Sequence, residues 1–218
     1  MTVNSPRQAD ARGPLPPLYP IIDIDLCRMR GRDPIALALA LAEGGARIVQ
    51  VRQKSPGTGA LLTLCRELMT AAHGAGMRVI VNDRADIAVM AGADGVHIGQ
   101  DDLPAAAVRR IAGTAAIIGL STHTPAQVND ACAADVDYIA VGPIFRTATK
   151  DTGYEARGLD LVRYAAGCGR PVVAIGGITL ANAASVIEAG ASSVAVISDL
   201  LVAADPADRV RQYLAELR

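Results

Sequence analysis

The chain has 218 residues, enough for one domain with a sizeable core, and 51% of them are apolar. A formal net charge of −1 gives no overall field of the kind that attracts nucleic acid or a membrane surface. Because aromatic residues make up only 3%, aliphatic side chains must pack the core, as is typical of parallel strands buried on both faces.

The N-terminal segment and the cysteines bear on the cellular location. Residues 1–17 are polar, contain four prolines from Pro6 to Pro17 and have no apolar stretch, so we expect a disordered lead-in rather than a signal peptide. The aliphatic runs are too short to span a bilayer. Cysteines lie far apart and form no Cys-x-x-Cys pair, which predicts reduced structural thiols in a cytoplasmic protein: Cys27, Cys65, Cys132 and Cys168.

Short aliphatic runs alternate with amphipathic segments along the chain. The predicted strands are residues 18–23, 47–52, 78–82, 95–98, 116–120, 137–141, 171–175 and 193–197. The predicted helices are residues 33–43, 59–74, 84–91, 103–111, 125–133, 159–168, 180–189 and 206–217. Eight strand–helix units predict an α/β fold, a (β/α)₈ TIM barrel, as one domain over residues 18–218. The alternative, an open doubly wound sheet, would more often carry a Gly-x-Gly-x-x-Gly turn after its first strand, and this sequence has none there.

A barrel of this kind carries its chemistry where the strands end and the following loops begin. After the second strand, Gln50, Arg52 and Lys54 alternate along the chain and therefore point in one direction. Only two of the 21 basic residues are lysines, Lys54 and Lys150, and both fall at predicted strand ends. We interpret them as sites that need a compact ammonium group, against the alternative of chance.

Acidic residues follow the third and fourth strands. Asp83 comes directly after Asn82, and Asp102 follows the fourth strand. Carboxylates on neighbouring strand ends could share Mg²⁺, which takes one or two protein carboxylates together with water and substrate phosphate. The alternative for each aspartate is a helix N-cap. His97 has no second histidine at ligand spacing, so we expect it to position or pack rather than to bind metal.

Hydroxyl groups and glycines occupy the remaining strand ends. The segment 142–153 offers Arg146, Thr147, Thr149 and Lys150, which suit an oxyanion, although a solvated polar loop is the alternative. Gly176-Gly177 and Ser198 follow the seventh and eighth strands, where barrels commonly bind phosphate; a tight turn is the alternative for the glycines.

Ser121 and His123 follow the fifth strand. Their spacing is weak support for a nucleophile, because a triad also needs an orienting acid and none is evident, so we reject a hydrolase. Ser121 could instead hydrogen-bond a substrate ring. Taken together, the strand ends predict two anion sites, one sized for a monophosphate and a second, with cations and a divalent metal, suited to a departing diphosphate.

At this point the sequence resembles the thiamine-phosphate synthase family, over residues 18–201. Any one of the shared motifs is weak, but all of them occur in order and each at a predicted strand end. They are Gln50-x-Arg52-x-Lys54, Asn82-Asp83, His97-x-Gly99-Gln100-x-Asp102, Ser121-x-His123, Gly142-Pro143-x-Phe145-x-Thr147-x-Thr149-Lys150, Gly176-Gly177-Ile178 and Ile197-Ser198.

The resemblance implies that 4-amino-2-methyl-5-(diphosphooxymethyl)pyrimidine is joined to a thiazole phosphate, plain or 2-carboxylated, with loss of diphosphate. It implies a dissociative reaction in which Arg52, Lys54 and Lys150 grip the diphosphate and act as the catalytic residues. It also implies that Asp83 and Asp102 hold Mg²⁺. The implied substrate contacts are Gln50, Val51, Arg52, Gln53, Lys54, Asn82, Ser121, Thr147, Ala148, Thr149, Lys150, Gly177, Ile197 and Ser198.

At one position the sequence departs from the family pattern that the resemblance implies. Asp199 follows Ser198, where a small apolar residue is usual, and a carboxylate facing a phosphate would oppose binding. We expect Asp199 to cap a short helix and face away. The end of the segment 142–153, residues 151–153, is a candidate lid.

Three other functions stay open at the sequence level. They are a thiazole tautomerase, a Schiff-base aldolase that uses Lys54 or Lys150, and a regulator that binds a phosphorylated ligand without turnover. The expected partners are small phosphorylated substrates, with neither nucleic acid nor membrane, and the sequence is compatible with a homo-oligomer.

Overall fold

The structure, a computed structural model, describes residues 13–55, 57–147 and 153–218. Eight parallel strands close into a barrel in which each strand pairs with the next and β8 pairs with β1. The predicted barrel is therefore confirmed. The strands are β1 Leu18–Asp23, β2 Ile48–Arg52, β3 Arg78–Asn82, β4 Gly95–Ile98, β5 Ile117–Thr122, β6 Tyr138–Val141, β7 Val172–Ile175 and β8 Ser193–Val196.

Helices on the outside of the barrel connect successive strands. They are α1 Ile24–Met29, α2 Pro34–Glu43, α3 Thr58–Gly74, α4 Ala85–Ala91, α5 Ala105–Ala112, α6 Pro125–Ala133, α7 Gly158–Ala166, α8 Leu180–Glu188, α9 Ser198–Leu201 and α10 Pro206–Glu216. Asp33 and Asp205 are the N-caps of α2 and α10: Asp33 accepts from the N–H groups of Ile35 and Ala36, and Asp205 accepts from the N–H of Asp208. None of the described helices is long and apolar enough to cross a membrane.

Two short helices were not among the predicted elements. The first, α1, follows β1 without an intervening loop, because Asp23 ends the strand and also caps the helix by accepting from the Leu26 N–H at 3.0 Å. No glycine or proline separates the two elements, so the usual boundary signal is missing. The second, α9, is a single turn after β8 and is too short to show a period.

The strands separate two apolar layers. Alternate strand residues face the helices and form the larger core, which includes Val51, Val81 and Val141. The other set fills the barrel interior, where Tyr19, Ile48 and Ile80 belong to a smaller buried cluster. This alternation keeps one face of every strand directed inward, so that polar residues of that face emerge together at the C-terminal ends.

The predicted lead-in, residues 1–17, needs one correction. Its first twelve residues lie outside the described ones, but its last part contacts the barrel. The Pro14 carbonyl accepts from Arg78 at 3.0 Å, the Pro17 carbonyl accepts from the Val194 N–H at 2.9 Å, and Leu15 packs on the interior cluster. Disorder therefore does not extend to Pro17, because these residues cover the N-terminal end of the barrel.

The cysteines need a second correction. Cys132 near the end of α6 and Cys168 beyond the end of α7 form a disulfide, with their Cα atoms 5.9 Å apart. The expectation of four reduced thiols is wrong for this pair, since 36 residues of chain separate two positions that neighbouring helices bring together. Cys27 and Cys65 are free and buried, and burial raises the pKa of each to about 11.

Candidate active site

A cavity of about 1010 Å³ opens at the C-terminal ends of the strands. Its position agrees with the barrel rule that placed the chemistry there. The lining includes eleven of the residues predicted as site residues: Gln50, Arg52, Lys54, Asn82, Asp83, Asp102, Ser121, Thr147, Gly177, Ile197 and Ser198.

Two further predicted residues, Val51 and Gln53, do not line this cavity. Val51 is buried in the outer core, and Gln53 donates from its amide to the Ser55 carbonyl at 3.0 Å. Strand alternation explains this, since both point away from the direction of Gln50, Arg52 and Lys54. Ala148, Thr149 and Lys150 lie outside the described residues, as do the first two residues of the candidate lid.

Arg52 is held in place by a buried carboxylate. Its guanidinium forms an ion pair with Asp23, whose side chain is 3% exposed. The other oxygen of that carboxylate caps α1, so Asp23 is itself fixed. A charge-assisted contact of this kind orients the guanidinium at the cavity wall before any ligand arrives.

The loop that carries Lys54 is tied to α1. Asp25 accepts from the backbone N–H groups of Lys54 and Ser55, at 2.8 and 3.0 Å, and from the Ser55 hydroxyl. Burial raises the pKa of Asp25, but these hydrogen bonds outweigh it and the pKa lies below its ordinary value. Lys54 then reaches across to form an ion pair with Asp83.

Asp83 and Asp102 face the same part of the cavity from neighbouring strand ends. Asp83 has a left-handed backbone with φ 63°, and its N–H donates to the His97 carbonyl at 2.7 Å. Asp102 accepts from the Gly99 N–H at 2.7 Å. Neither residue is the N-cap of its following helix, a position that Arg84 and Pro104 occupy. The alternative reading of both as helix caps is therefore wrong.

The electrostatics of this pair suit a cation. Burial raises the pKa of Asp102, the Gly99 N–H lowers it and nearby Asp83 raises it, so that the pKa lies above its ordinary value. Two carboxylates that repel each other would be relieved by a divalent ion between them. Among residues 13–55, 57–147 and 153–218, no group of three or more His, Cys, Asp or Glu side chains is placed to hold a metal. Two carboxylates are sufficient for Mg²⁺ that also binds substrate phosphate.

The raised pKa of Asp102 predicts a measurable effect on stability. A carboxyl group that binds its proton more tightly when folded contributes stability below its unfolded pKa, and this contribution is lost as the pH rises through the folded pKa. In EDTA at neutral pH, Asp102→Asn should therefore raise the free energy of unfolding, measured by urea denaturation, and the gain should shrink in acid. The exposed Asp160→Asn is the control. Equal values for wild type and Asp102→Asn at neutral pH would contradict the prediction.

The loops after β6, β7 and β8 form the other side of the cavity. Gly177 has φ 64°, and a Cβ there would lie 2.5 Å from the Arg146 carbonyl oxygen, so backbone packing requires glycine at this position. The Phe145 N–H donates to the Gly176 carbonyl at 2.9 Å, which fastens the loop after β6 to the loop after β7. The loops after β6, β7 and β8 therefore place Gly177, Ser198 and Thr147 on one side of the cavity. The acidic pair, Asp83 and Asp102, lies on the opposite side.

Asp199 does not act as a helix cap, because Ile197 is the N-cap of α9. Its carboxylate accepts from the Tyr213 hydroxyl at 2.7 Å and pairs with Arg209 at 3.2 Å, both on α10. The expected role as a cap is thus wrong. These two partners offset the negative charge that would otherwise oppose an anion at Ser198.

Three of the predicted substrate contacts, Gln50, Asn82 and Ser121, supply polar groups to the cavity wall. Gln50 and Asn82 are buried, and the Asn82 amide nitrogen has no hydrogen-bond partner among the described residues. Ser121 lies 2.8 Å from His97 Nε2, and His97 Nδ1 lies 2.9 Å from the Tyr138 hydroxyl. His97 therefore positions Ser121, in agreement with the role expected for it.

The same contacts argue against a hydrolase. The serine pairs with His97 rather than with His123, which bonds the Gly142 carbonyl at 2.6 Å and stacks on Tyr154. The second nitrogen of His97 faces a phenol and not a carboxylate, so the orienting acid of a triad does not occupy that position.

Four residues of the site were missed from the sequence. Asp23 ends β1, and applying the barrel rule to that strand as well would have found it. Asp25, Tyr19 and Tyr138 gave no signal of their own, although only five tyrosines occur in the chain and two of them stand at inward-facing strand positions.

Comparison with known proteins agrees with this geometry. Residues 18–200 match a family model described as thiamine monophosphate synthase. The chain is 46% identical over 177 residues to a thiamine-phosphate synthase of Anaeromyxobacter dehalogenans, covering 81% of this chain and 79% of that protein. It is 43% identical over 206 residues to a thiamine-phosphate synthase of Koribacter versatilis, covering 92% and 95%.

Solved structures give the same result for the fold. A thiamine phosphate pyrophosphorylase from Pyrococcus furiosus superposes with a TM-score of 0.83 at 28% identity, covering 92% of this chain and 95% of that one. A 3-hexulose-6-phosphate synthase superposes with a TM-score of 0.64 at 18% identity, covering 92% and 100%, which is a likeness of fold alone. With its cavity at the strand ends and with these relatives, the chain belongs to the thiamine monophosphate synthase family of transferases.

Proposed function

We propose that the protein joins 4-amino-2-methyl-5-(diphosphooxymethyl)pyrimidine to a thiazole phosphate, plain or 2-carboxylated, and releases diphosphate. The observation that carries this proposal is that residues of both predicted anion sites line one cavity. Arg52, Lys54 and the acidic pair line one side, and Gly177, Ser198 and Thr147 line the other. The side with Arg52 and Lys54 suits a diphosphate with its metal, and the side with Gly177 and Ser198 suits a monophosphate.

Mg²⁺ fits the acidic side, where Asp83 and Asp102 would hold it. Its chemistry there would be to neutralise the charge that develops on the departing diphosphate. The pair meets the usual protein share of a magnesium shell, and Asp83 adds to the burial that raises the pKa of Asp102.

The chain's own residues support a dissociative reaction. The bond from the pyrimidine methylene carbon to the diphosphate oxygen breaks, and its electron pair leaves with the diphosphate. The thiazole nitrogen then donates its lone pair to that carbon and carries no proton to be removed. Arg52, fixed by Asp23, offers a preorganised donor to the leaving group. Stabilising the leaving group is the main contribution that a protein makes to such a reaction.

Two of the alternatives fit the site less well. A Schiff-base aldolase that used Lys54 would have to break the ion pair between that amine and Asp83, and Lys150, the other lysine considered for it, lies outside the described residues. A thiazole tautomerase needs neither the diphosphate cations nor the acidic pair. The regulator, which would bind without turnover, is decided by the assay below.

The test is a turnover assay with both substrates and Mg²⁺. We expect thiamine phosphate and diphosphate to form in equal amounts, and neither to form when one substrate is left out. Release of CO₂ with the 2-carboxylated thiazole phosphate would identify that substrate. Binding of both substrates without product would overturn the proposal in favour of a regulator.

A further inference from the structure

A chain of buried hydrogen bonds crosses the barrel interior beneath the cavity. The Gln50 amide nitrogen lies 3.3 Å from the Tyr19 hydroxyl, which lies 2.8 Å from the Tyr138 hydroxyl. Tyr138 lies 2.9 Å from His97 Nδ1, and His97 Nε2 lies 2.8 Å from Ser121 Oγ. Both ends of this chain, Gln50 and Ser121, line the cavity.

The direction of these hydrogen bonds follows from the first member. A primary amide nitrogen can only donate, so Tyr19 accepts from Gln50, and the arrangement that continues this direction has the Tyr19 hydroxyl donating to Tyr138. Tyr138 in turn donates to His97 Nδ1, which leaves the ring proton on Nε2 and directs it to Ser121. Ser121 then has its own proton to give to a ligand, and Gln50 offers its amide oxygen as an acceptor.

The surroundings keep this direction fixed. Burial raises the pKa of Tyr19 to about 12 and the pKa of Tyr138 well above its ordinary value, so both phenols keep their protons. The Tyr138 ring fills space that Gly119 leaves open, because a Cβ at Gly119 would lie 2.0 Å from that ring. The ring cannot turn away without losing this packing.

A third polar group faces the same ligand position. Asn82 is 9% exposed, lines the cavity and has an amide nitrogen with no partner among the described residues. A buried donor without a partner costs about 1–3 kcal/mol, and an acceptor on a ligand would offset that cost. The cavity floor thus presents two donors, Asn82 and Ser121, and one acceptor, Gln50.

We infer that the hydrogen-bond chain from Tyr19 through Tyr138 to His97 selects a 4-aminopyrimidine over its 4-oxo counterpart by fixing which groups of the cavity floor donate and which accept. This inference rests on the proposed pyrimidine substrate. A 4-aminopyrimidine edge offers a ring-nitrogen acceptor beside an amino donor, which complements Ser121 and Gln50. The 4-oxo form has an N–H donor beside a carbonyl acceptor, the inverse pattern. Tyr19, Tyr138 and His97 are positioning residues in this scheme.

Calorimetric binding of the diphosphorylated 4-amino- and 4-oxopyrimidines tests the inference. We expect wild type to prefer the amino form by roughly 10²-fold or more, since buried polar groups left unpaired carry such penalties. Tyr138→Phe removes the hydroxyl that donates to His97 Nδ1, so the ring can carry its proton on either nitrogen and Ser121 can donate or accept. That preference should then fall by about tenfold, with thiazole-phosphate affinity unchanged.

Tyr213→Phe is the matched control. Tyr213 is also a buried tyrosine, but its hydroxyl bonds Asp199 and takes no part in the hydrogen bonds from Tyr19 to His97. It should keep the wild-type preference for the amino form. An unchanged preference in Tyr138→Phe, or a wild type that binds neither pyrimidine, would overturn the inference.

The tautomer of His97 gives a readout that needs no substrate. In the ligand-free protein labelled with ¹⁵N-histidine, the His97 signal, assigned by its loss in His97→Gln, should show a proton on Nε2. A proton on Nδ1 would overturn the inference whatever the enzyme catalyses. If the tautomer and the amino preference hold while no thiamine phosphate forms, the inference stands and the proposed reaction fails.

Discussion

Replacing Arg52 with methionine should lower kcat/KM by roughly 10³-fold, because the leaving diphosphate loses a donor that the fold holds ready. The same change should cost about 3 kcal/mol in the free energy of unfolding, since it leaves the Asp23 carboxylate buried without its partner. Steady-state kinetics and urea denaturation measure the two effects separately.

The double variant Asp23→Asn with Arg52→Met separates the function of Arg52 from its effect on stability. It removes both charges, and asparagine can still cap α1, so most of the lost stability should return. Turnover should stay low, since the guanidinium is still missing. If turnover returned together with stability, Arg52 would be a structural residue and its proposed contact with diphosphate would be wrong.

Asp83→Asn should lower kcat by roughly 10²-fold and raise the Mg²⁺ concentration needed for half-maximal rate about tenfold, because one of two proposed metal ligands loses its charge. Asparagine tolerates the left-handed backbone at φ 63°, so the change reports on charge rather than on strain. Titration of the initial rate with Mg²⁺ provides the measurement.

Asp101→Asn is the comparison for this second variant. Asp101 is exposed and lies next to Asp102, so its replacement removes the same unit of local charge without touching the acidic pair. It should leave the Mg²⁺ dependence close to that of wild type. An Mg²⁺ requirement that is unchanged in Asp83→Asn would refute a metal role for that carboxylate.

The residues at the strand ends show which parts of the site local sequence patterns can predict. Gln50, Arg52 and Lys54 could be placed on one side of β2 because side chains alternate along any strand, and the structure finds all three at the cavity. Asp83 was harder to interpret. A carboxylate just before a helix can be a cap or a ligand, and only its left-handed backbone and its contact with Lys54 exclude the cap.

Pairings between distant positions could not be predicted. The sequence places Ser121 two residues from His123, yet the serine bonds His97, which lies on the neighbouring strand and 24 residues away. Cys132 and Cys168 join across 36 residues in the same way. No local period or spacing encodes such contacts, because they depend on which helices and strands become neighbours when the barrel closes.

The sequence by itself determined the order of the eight strands and the eight longer helices, the closed barrel and the face expected to carry the chemistry, because each of these follows from a repeat of aliphatic and amphipathic segments. The tertiary structure decided how the site is held. The Asp23 contact that fixes Arg52, the Asp25 contacts that fix the Lys54 loop and the Tyr19–Tyr138 bond all join separate elements of the barrel. The last of these spans 119 residues of chain, and only the closing of the barrel brings its two hydroxyls together.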